Sequence, residues 1–293
     1  MSMKPMPYIL AVDGGGTGCR ALLAHSNGEL LGRGGSGPAN ISADPATALD
    51  NIMHAATLAV HDAGLDVSLL NETYAVFGLA GANALPDKDR VEHGLPFGKV
   101  KIVSDAVTAL HGALGREDGA IVILGTGSVF VRRERDAFEI VGGRGFMLSD
   151  HAGGARLGRE LLEETLLALD GMAERTALVD AITARFGDDM RQIIAFSRTA
   201  TAADYAALAP IIFDHARKGD ACGLAILQRA CAYIARGLDR LGMEKLGRFS
   251  LTGGLASSYA ALPFLPYREL FRPARGDALQ GALSLALLAN GRD

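Results

Sequence analysis

The sequence predicts an α/β protein made of two similar halves. The first observation is a strand, a glycine-rich turn and a second strand in residues 10–24, LAVDGGGTGCRALLA. The second is a copy of this arrangement in AIVILGTGSVFVRR, where Thr126 follows Thr17 by 109 residues. That spacing is too long for a solenoid repeat and is typical of a duplicated domain. The third is that segments with helical character lie between and after these strands.

The first half is predicted to contain five strands and two helices. Short apolar runs predict strands at residues 8–12, 21–24, 29–33, 73–79 and 100–103. Asn27 and Gly28 predict a hairpin turn between the second and third strands. Asp44 as a cap and Pro45 in the first turn predict a helix that runs to about Ala63. The segment SDAVTALHGAL predicts a second helix.

The second half begins with the strands on either side of the Gly-Thr-Gly turn. It is predicted to be mostly helical from Ala152 to about Leu246. A last strand at residues 249–251 leads into TGGLASS, and an apolar helix at residues 276–289 closes the chain. The repeat therefore predicts one domain at residues 1–115, joined by a C-terminal helix at 276–293. The second domain is predicted at residues 116–275, with a helical insertion.

The composition excludes several classes of function. With 49% hydrophobic and 21% charged residues, the 293-residue chain is typical of a folded globular protein. Its net charge of −4, without a patch of Lys and Arg, argues against nucleic-acid binding. No signal-peptide core and no apolar stretch of membrane-spanning length is present, which predicts a cytoplasmic protein without a membrane partner. The three cysteines and seven histidines lack metal-ligand spacing, so we expect free thiols and no zinc site.

The glycine turns point to a phosphate ligand. The first two turns each join two strands, whereas Rossmann and P-loop motifs run from a strand into a helix, and neither motif's glycine spacing is present. A turn of Gly and Thr between strands can direct several N–H groups at phosphate oxygens. One such turn alone is typical of an ordinary hairpin. Two at matching places, with a third Gly-Gly turn after a late strand, favour a nucleotide cleft.

Three motifs resemble one ATPase superfamily. VDGGGTGCRALL, ILGTGSVF and LTGGLASS resemble the two phosphate segments and the adenosine segment of the actin–hexokinase–Hsp70 superfamily. GSGPANI, SDAVTAL, VGGRGFMLSDHAGGARLG and IIAFSRTATAADYAALAPIIFDHARKGD are similar to its BadF/BadG-type ATPase and N-acetylglucosamine kinase group, and especially to bacterial glucosamine kinases. The resemblance covers nearly the whole chain. It implies duplicated ribonuclease H-like domains with an interdomain cleft.

The resemblance also implies a reaction and a set of site residues. The reaction is ATP-dependent phosphorylation of the 6-hydroxyl of glucosamine by a Mg²⁺-using cytoplasmic homodimer. The first phosphate loop matches Gly14, Gly15, Gly16 and Thr17, with Asp13 as a water-mediated Mg²⁺ contact. The second matches Gly125, Thr126 and Gly127, and the adenosine segment matches Gly253, Gly254 and Ser257. The general base matches Asp105, and the sugar contacts match Asn40, Asp105, Gly143, Arg144, Gly145 and Asp150.

The residue pattern alone leaves alternatives open. An Asp between a strand and a helix is as typical of an N-cap as of a base, and Ser104 beside Asp105 can also cap. Asn40 in its Gly-rich loop can bond its own backbone, and Asp150 can cap the helix predicted at Ala152. Arg20 and Arg144 can neutralise phosphate or remain solvated.

The chain departs from the group's pattern at two positions. Arg144 stands where the group commonly has Trp, and it offers hydrogen-bond donors in place of a flat apolar face. His151 stands where a Glu or Gln is common. The first departure bears on the sugar contact, and the second either tunes the site or has no effect.

Three other functions are considered beside the glucosamine kinase. One is the same reaction on N-acetylglucosamine. The second is a BadF-type ATPase that drives electron transfer through an iron–sulfur cluster, which requires suitably placed cysteines. The third is a non-catalytic sugar sensor, which has no need of the base at Asp105.

Overall fold

The computed structural model describes residues 5–84, 88–135 and 137–291. The chain divides into two compact units. Unit 1 comprises the chain up to Glu117 together with the residues from Ala274 onward. Unit 2 is Asp118–Pro273.

Unit 1 is built on a mixed five-stranded sheet. Its strands are β1 (Tyr8–Gly14), β2 (Cys19–His25), β3 (Leu30–Ser36), β4 (Thr73–Leu79) and β5 (Lys99–Ser104), in the order β3-β2-β1-β4-β5. The first three strands form an antiparallel meander, while β1, β4 and β5 run parallel. The predicted strands and the Asn27-Gly28 turn are confirmed. The strands extend one to three residues beyond most of the predicted bounds.

The helices of unit 1 cover both faces of this sheet. They are α1 (Pro45–Asp62), α2 (Lys88–Gly94), α3 (Asp105–Leu114) and the C-terminal helix (Ala278–Asn290), with 3-10 helices at Val67–Glu72 and Ala82–Ala84. Asp44 caps α1 as predicted, since its carboxylate accepts a hydrogen bond from Thr47 N. Alternate residues of β1 enter different cores: Leu10 and Val12 pack with α1, and Ile9 and Ala11 pack with the C-terminal helix.

Unit 2 contains a four-stranded sheet. Its strands are β6 (Gly119–Leu124), β7 (Ser128–Glu134), β8 (Ala137–Gly142) and β9 (Phe249–Thr252), in the order β8-β7-β6-β9. The strands β6 and β7 are antiparallel, so the Gly-Thr-Gly turn is a hairpin as predicted, and β9 runs parallel to β6. The strand β8, which pairs antiparallel with β7, was not predicted.

Helices make up most of the rest of unit 2. They are α4 (Gly154–Leu169), α5 (Ala177–Arg185), α6 (Met190–Thr199), α7 (Ala202–Ala206), α8 (Ala209–Arg217), α9 (Ala221–Arg240), α10 (Met243–Leu246) and α11 (Ala256–Ala260). The predicted helical region is thereby confirmed. Its first helix begins at Gly154 rather than Ala152 because Gly153 is the N-cap. In the described ranges, no helix combines the length and the apolar character needed to cross a membrane.

Candidate active site

The first glycine loop connects β1 to β2 in unit 1, and its glycines differ in their surroundings. A methyl group on Gly14 would lie 2.7 Å from Leu79 Cδ2 and 2.9 Å from Ala39 Cβ, so this position has no room for a side chain. The loop is closed by a hydrogen bond from Gly15 N to Gly18 O (2.9 Å). Gly16 is exposed, and a methyl group there would meet no atom within 4 Å. The loop therefore has a packed base and an open tip.

Asp13 precedes this loop and forms an ion pair. Arg20 donates from one guanidinium nitrogen to Asp13 Oδ2 (2.6 Å) and from the other to Asp277 Oδ2 (2.9 Å). Asp277 is the N-cap of the C-terminal helix, and its Oδ1 accepts from Gln280 N (3.0 Å). Two roles were considered for Arg20, binding phosphate and remaining solvated. In the structure its guanidinium pairs with two carboxylates.

The surroundings of Asp13 fit a cation held mainly by other ligands. Among the described residues, Asp13 Oδ1 has no protein partner, while Oδ2 is taken by Arg20. Over the same ranges, no group of three or more His, Cys, Asp or Glu side chains could hold a metal ion by itself. Mg²⁺ commonly uses one or two carboxylates and completes its shell with water and phosphate oxygens. Asp13 is compatible with that mode of binding.

Asp105 is the first residue of α3, directly after β5. The N-cap is its neighbour Ser104, whose hydroxyl accepts from Ala106 N (3.3 Å). Asp105 Oδ1 also accepts from Ala106 N (2.8 Å) and from the Ser104 hydroxyl (3.2 Å). Within the described part of the chain, Asp105 Oδ2 has no partner. Ser104 and Asp105 Oδ1 thus share the N–H of Ala106, and Oδ2 of Asp105 remains available.

Asp13 and Asp105 lie at the same edge of the unit 1 sheet. Both β1 and β5 run parallel to β4, with Asp13 paired to Gly78 and Ser104 paired to Leu79. Two strand spacings separate their backbones by about 10 Å. Burial raises the pKa of Asp105 above its ordinary value of 3.8, and the Asp13 charge adds to this, although hydrogen bonds to Ala106 and Ser104 oppose it.

Asn40 uses its carbonyl oxygen locally. Asn40 Oδ1 accepts from Ser42 N (3.1 Å) and from the Ser42 hydroxyl (3.0 Å), which forms an Asx turn. The turn role considered for this residue is therefore present. The amide nitrogen of Asn40 makes none of the hydrogen bonds of this turn.

In unit 2, the second glycine loop is packed against the start of α4. Gly154 N donates to Gly125 O (2.8 Å), and Ala155 N donates to Thr126 O (3.0 Å). A methyl group on Gly153 would lie 2.5 Å from the carbonyl carbon of Gly127, so a side chain there would displace the loop. Gly153 was not predicted as a site residue, and its signal in the sequence is the Gly-Gly pair at the start of α4.

Asp150 joins the second glycine loop to the turn at residues 143–145. Its Oδ1 accepts from Arg144 N (3.1 Å), and its Oδ2 would lie 2.4 Å from a methyl group on Gly127. Asp150 is only 6% exposed and has a positive φ of 58°. Burial raises its pKa, against hydrogen bonds from Ser149 and backbone N–H groups. Asp150 does not cap α4, because Gly153 is the N-cap of that helix.

Arg144 and His151 differ in their surroundings. Arg144 is exposed, in a turn where Gly143 and Gly145 have φ values of 67° and 89°. His151 packs edge-on against Tyr233, with ring centroids 4.9 Å apart. Burial lowers the pKa of His151, assisted by the charges of Arg156 and Arg236. His151 is therefore a neutral aromatic neighbour of Asp150 at pH 7.

The third glycine turn follows β9. Gly253 has a φ of 91°, and a methyl group there would lie 2.5 Å from Leu124 O, so both its conformation and its packing require glycine. A methyl group on Gly254 would meet no atom within 4 Å. Ser257, the second residue of α11, lines a cavity of about 450 Å³ whose walls include Phe213, Arg217, Leu224, Ala261 and Phe264. This cavity in unit 2 has a mainly apolar lining, as expected of a site for a planar base.

The cysteines do not form a cluster site. Cys19 and Cys231 are buried, and all three cysteines are free thiols as predicted. Burial raises the pKa of Cys19 and of Cys231 to about 12, and that of Cys222 to about 11. At neutral pH, without a bound metal, these groups are protonated thiols.

The chain is similar over most of its length to proteins of known families. The model of the BadF/BadG/BcrA/BcrD ATPase family matches residues 10–268. The chain is 34% identical over 282 residues to the glucosamine kinase GspK of Vibrio cholerae, covering 96% of each chain. It is 27% identical over 235 residues to the N-acetylmuramic acid/N-acetylglucosamine kinase of Clostridium acetobutylicum, covering 77% of this chain and 76% of that one.

One solved structure is similar over almost the full length. It is that of a Chromobacterium violaceum protein assigned as an N-acetylglucosamine kinase. The TM-score is 0.86 at 32% identity, and the match covers 96% of this chain and 99% of the other. With the two mixed sheets described above, this confirms the predicted α/β fold with duplicated ribonuclease H-like domains.

Proposed function

Because the chain belongs to the BadF/BadG/BcrA/BcrD ATPase family, we propose that it is an ATP-dependent kinase that phosphorylates the 6-hydroxyl of glucosamine. The observation that carries this proposal is the edge of the unit 1 sheet. There the half-buried carboxylate of Asp105 keeps one oxygen without a protein partner, and Asp13 and the open tip of the first glycine loop lie at the same edge. The similarity to the Vibrio cholerae enzyme supports the choice of sugar.

In this proposal Asp105 is the general base. The sugar O6 forms a bond to the γ-phosphorus of ATP, the bond from that phosphorus to the β–γ bridging oxygen breaks, and the O6 proton passes to Asp105. A carboxylate with a raised pKa is a better proton acceptor while it remains ionised, so burial at this position favours the role. Ser104 and Ala106 hold Oδ1, which orients Oδ2 toward the substrate.

We assign the three glycine motifs to the nucleotide. We assign Gly14, Gly15, Gly16 and Thr17 of unit 1, and Gly125, Thr126 and Gly127 of unit 2, to the phosphates of ATP. Gly253, Gly254 and Ser257 are assigned to the adenosine, and the cavity beside Ser257 to its base. Bound Mg²⁺ would neutralise phosphate charge, and Asp13 would contact it through water. Positioning and charge neutralisation supply most of the catalysis of phosphoryl transfer.

The sugar contacts are the most specific part of the proposal. We assign Asn40, Asp105, Gly143, Arg144, Gly145 and Asp150 to the sugar. The buried carboxylate of Asp150 suits the ammonium of glucosamine, because a charge pair out of water is stronger than one in it. One observation favours N-acetylglucosamine instead. The exposed guanidinium of Arg144 could donate to an acetamide oxygen.

The remaining parts of the proposal concern assembly and location. We propose that the enzyme acts in the cytoplasm as a homodimer. The iron–sulfur alternative receives no support from the cysteines, because they belong to no group of three or more metal-ligating side chains among the described residues. A sugar sensor has no need of the unpartnered oxygen of Asp105.

The proposal is tested by coupled ADP release over a panel of hexoses and amino sugars. We expect the highest kcat/KM with glucosamine. The preference over N-acetylglucosamine should fall about tenfold or more in Asp150→Asn, because the substitution removes the charge and keeps an acceptor for Arg144 N. It should survive in the matched variant Arg144→Ala. A wild type that prefers the acetylated sugar would overturn the named substrate, and absence of sugar-dependent ADP release would overturn the kinase function.

A further inference from the structure

Arg20 links two carboxylates that the sequence places 264 residues apart. We propose, on the basis of the kinase function above, that Arg20 is a positioning residue. It fixes the Asp13 carboxylate for the divalent cation of the nucleotide and ties it to the N-terminus of the C-terminal helix. Arg20 is thereby added to the residues of the cation site, beside Asp13 and the first glycine loop.

The strand register brings Arg20 to Asp13. The two residues are direct partners in the antiparallel β1–β2 ladder, one pair before the ladder ends at Gly14 and Cys19. Side chains of partner residues lie on the same face of a sheet, within about 5.5 Å at Cβ. On this face, Ile9, Ala11 and Leu22 pack with the C-terminal helix. The register therefore places the two side chains next to each other on one face of the sheet.

The guanidinium is held at two points. One terminal nitrogen donates to Asp13 Oδ2 at 2.6 Å, and the other donates to Asp277 Oδ2 at 2.9 Å. Because the guanidinium is planar and rigid, fixing one end fixes the direction of the other. Its hold on Asp13 Oδ2 leaves Asp13 Oδ1 as the oxygen that can face a hydrated cation.

Asp277 is held in place by its own hydrogen bonds and by backbone packing. Its Oδ1 accepts from Gln280 N (3.0 Å), and its own N donates to Gln280 Oε1 (3.1 Å), a complete capping box. The backbone beside it is also packed, since a methyl group on Gly112 of α3 would lie 1.9 Å from Asp277 O. Movement of Asp277 would require movement of both helices.

The charge of Arg20 and its hydrogen bond have opposite effects on a cation. The positive charge repels the cation, whereas the hydrogen bond holds the carboxylate in a binding orientation. The Arg20 side chain is 52% exposed, so water and salt screen its charge, while orientation is not screened. We therefore expect orientation to dominate.

The first experiment measures binding of Mn²⁺ to the protein–ADP complex by electron paramagnetic resonance. Arg20→Ala should weaken Mn²⁺ binding about tenfold, and should raise the KM for Mg²⁺–ATP without changing the KM for the sugar. Equal or tighter Mn²⁺ binding would overturn the proposal. Thermal unfolding of the variant checks that unit 1 remains folded.

A double-mutant cycle tests whether Arg20 acts through Asp13. In an Asp13→Asn background, the further change Arg20→Ala should have no effect on Mn²⁺ affinity, because there is no carboxylate left to orient. Additive losses would show that Arg20 acts independently of Asp13, and would overturn the positioning role.

Asp277→Asn tests the tie to the helix without removing Arg20. Asn is as good an N-cap as Asp, so the helix start is kept while the charge-assisted bond to Arg20 is weakened. We expect about threefold weaker Mn²⁺ binding. The matched control is Asp44→Asn, the same change at the N-cap of α1, which should leave Mn²⁺ binding unchanged.

The outcomes separate this inference from the proposed function. A wild type that does not bind Mn²⁺ with ADP would overturn both. If the wild type binds and phosphorylates sugar, but Arg20→Ala and Asp277→Asn match it in Mn²⁺ affinity, only the positioning role is overturned.

Discussion

The pair Ser104-Asp105 is compatible with two functions, capping of α3 and general-base catalysis. The pattern Ser-Asp before a helix predicts a cap without saying which residue supplies it. In the structure the Ser104 hydroxyl caps α3, and Asp105 sits one position further on with one oxygen unpartnered within the described ranges. The sequence could not show this, because the choice depends on burial at the end of β5.

Asp105→Asn should separate catalysis from stability. Loss of the base is expected to reduce kcat by about 10² to 10⁴ while nucleotide binding is kept. The same change should make the protein more stable at pH 7. The raised pKa means that the folded state binds the proton more tightly than the unfolded state, so the wild type loses stability as pH rises from 3.8 through the raised value. Kinetics and thermal unfolding at several pH values measure both effects.

The control for this variant is Ser104→Ala. Loss of the cap should destabilise the protein by about 1 kcal/mol. Turnover should stay within a few-fold of wild type. A reversal, with normal turnover in Asp105→Asn and a large loss in Ser104→Ala, would contradict the role of Asp105 as the base.

At the scale of elements, the sequence predicts best those features that depend on neighbouring residues. The helix at Pro45 begins where its cap predicts, and both glycine hairpins connect antiparallel strands. The strand β8 was not predicted, because it is formed by pairing with β7 and carries exposed apolar residues such as Phe138 and Ile140. The Arg20–Asp277 contact could not be predicted from the sequence either, because it joins β2 to the C-terminal helix and no local pattern links these two segments.

The two ends of the first glycine loop should respond differently to substitution. Gly16→Ala adds a methyl group in open space, so we expect normal stability and at least about tenfold weaker binding of an ATP analogue. Gly14→Ala forces a methyl group against Leu79 and Ala39 and should lower the melting temperature. Calorimetric titration and thermal unfolding measure the two effects. Unchanged nucleotide affinity in Gly16→Ala would contradict the phosphate role of the loop tip.

At the scale of the whole molecule, unit 1 is assembled from both ends of the chain. The C-terminal helix places Leu279, Ala282 and Ala286 on a sheet face formed in part by Ile9 and Ala11, and all five side chains are buried. Asn290 donates to Met6 O and accepts from Met6 N, both at 2.9 Å, which fastens the end of the helix to the start of the chain. The apolar sequence predicts the helix, and the predicted first domain already includes it, while the hydrogen bonds that fasten its end join residues 284 positions apart.

Removal of residues 274–293 should therefore unfold unit 1 and spare unit 2. The deletion exposes the apolar sheet face that the C-terminal helix covers, and unit 2 keeps its own separate core. We expect limited proteolysis to cleave within residues 5–117 while a fragment near 118–273 persists. A chain that joins residues 1–117 directly to 274–293 should fold again, because Arg275 N donates to Ala113 O (3.0 Å) and the Arg275 and Glu117 side chains are paired, so the two ends are adjacent. Protection of residues 5–117 in the truncated protein would contradict this assignment of the helix.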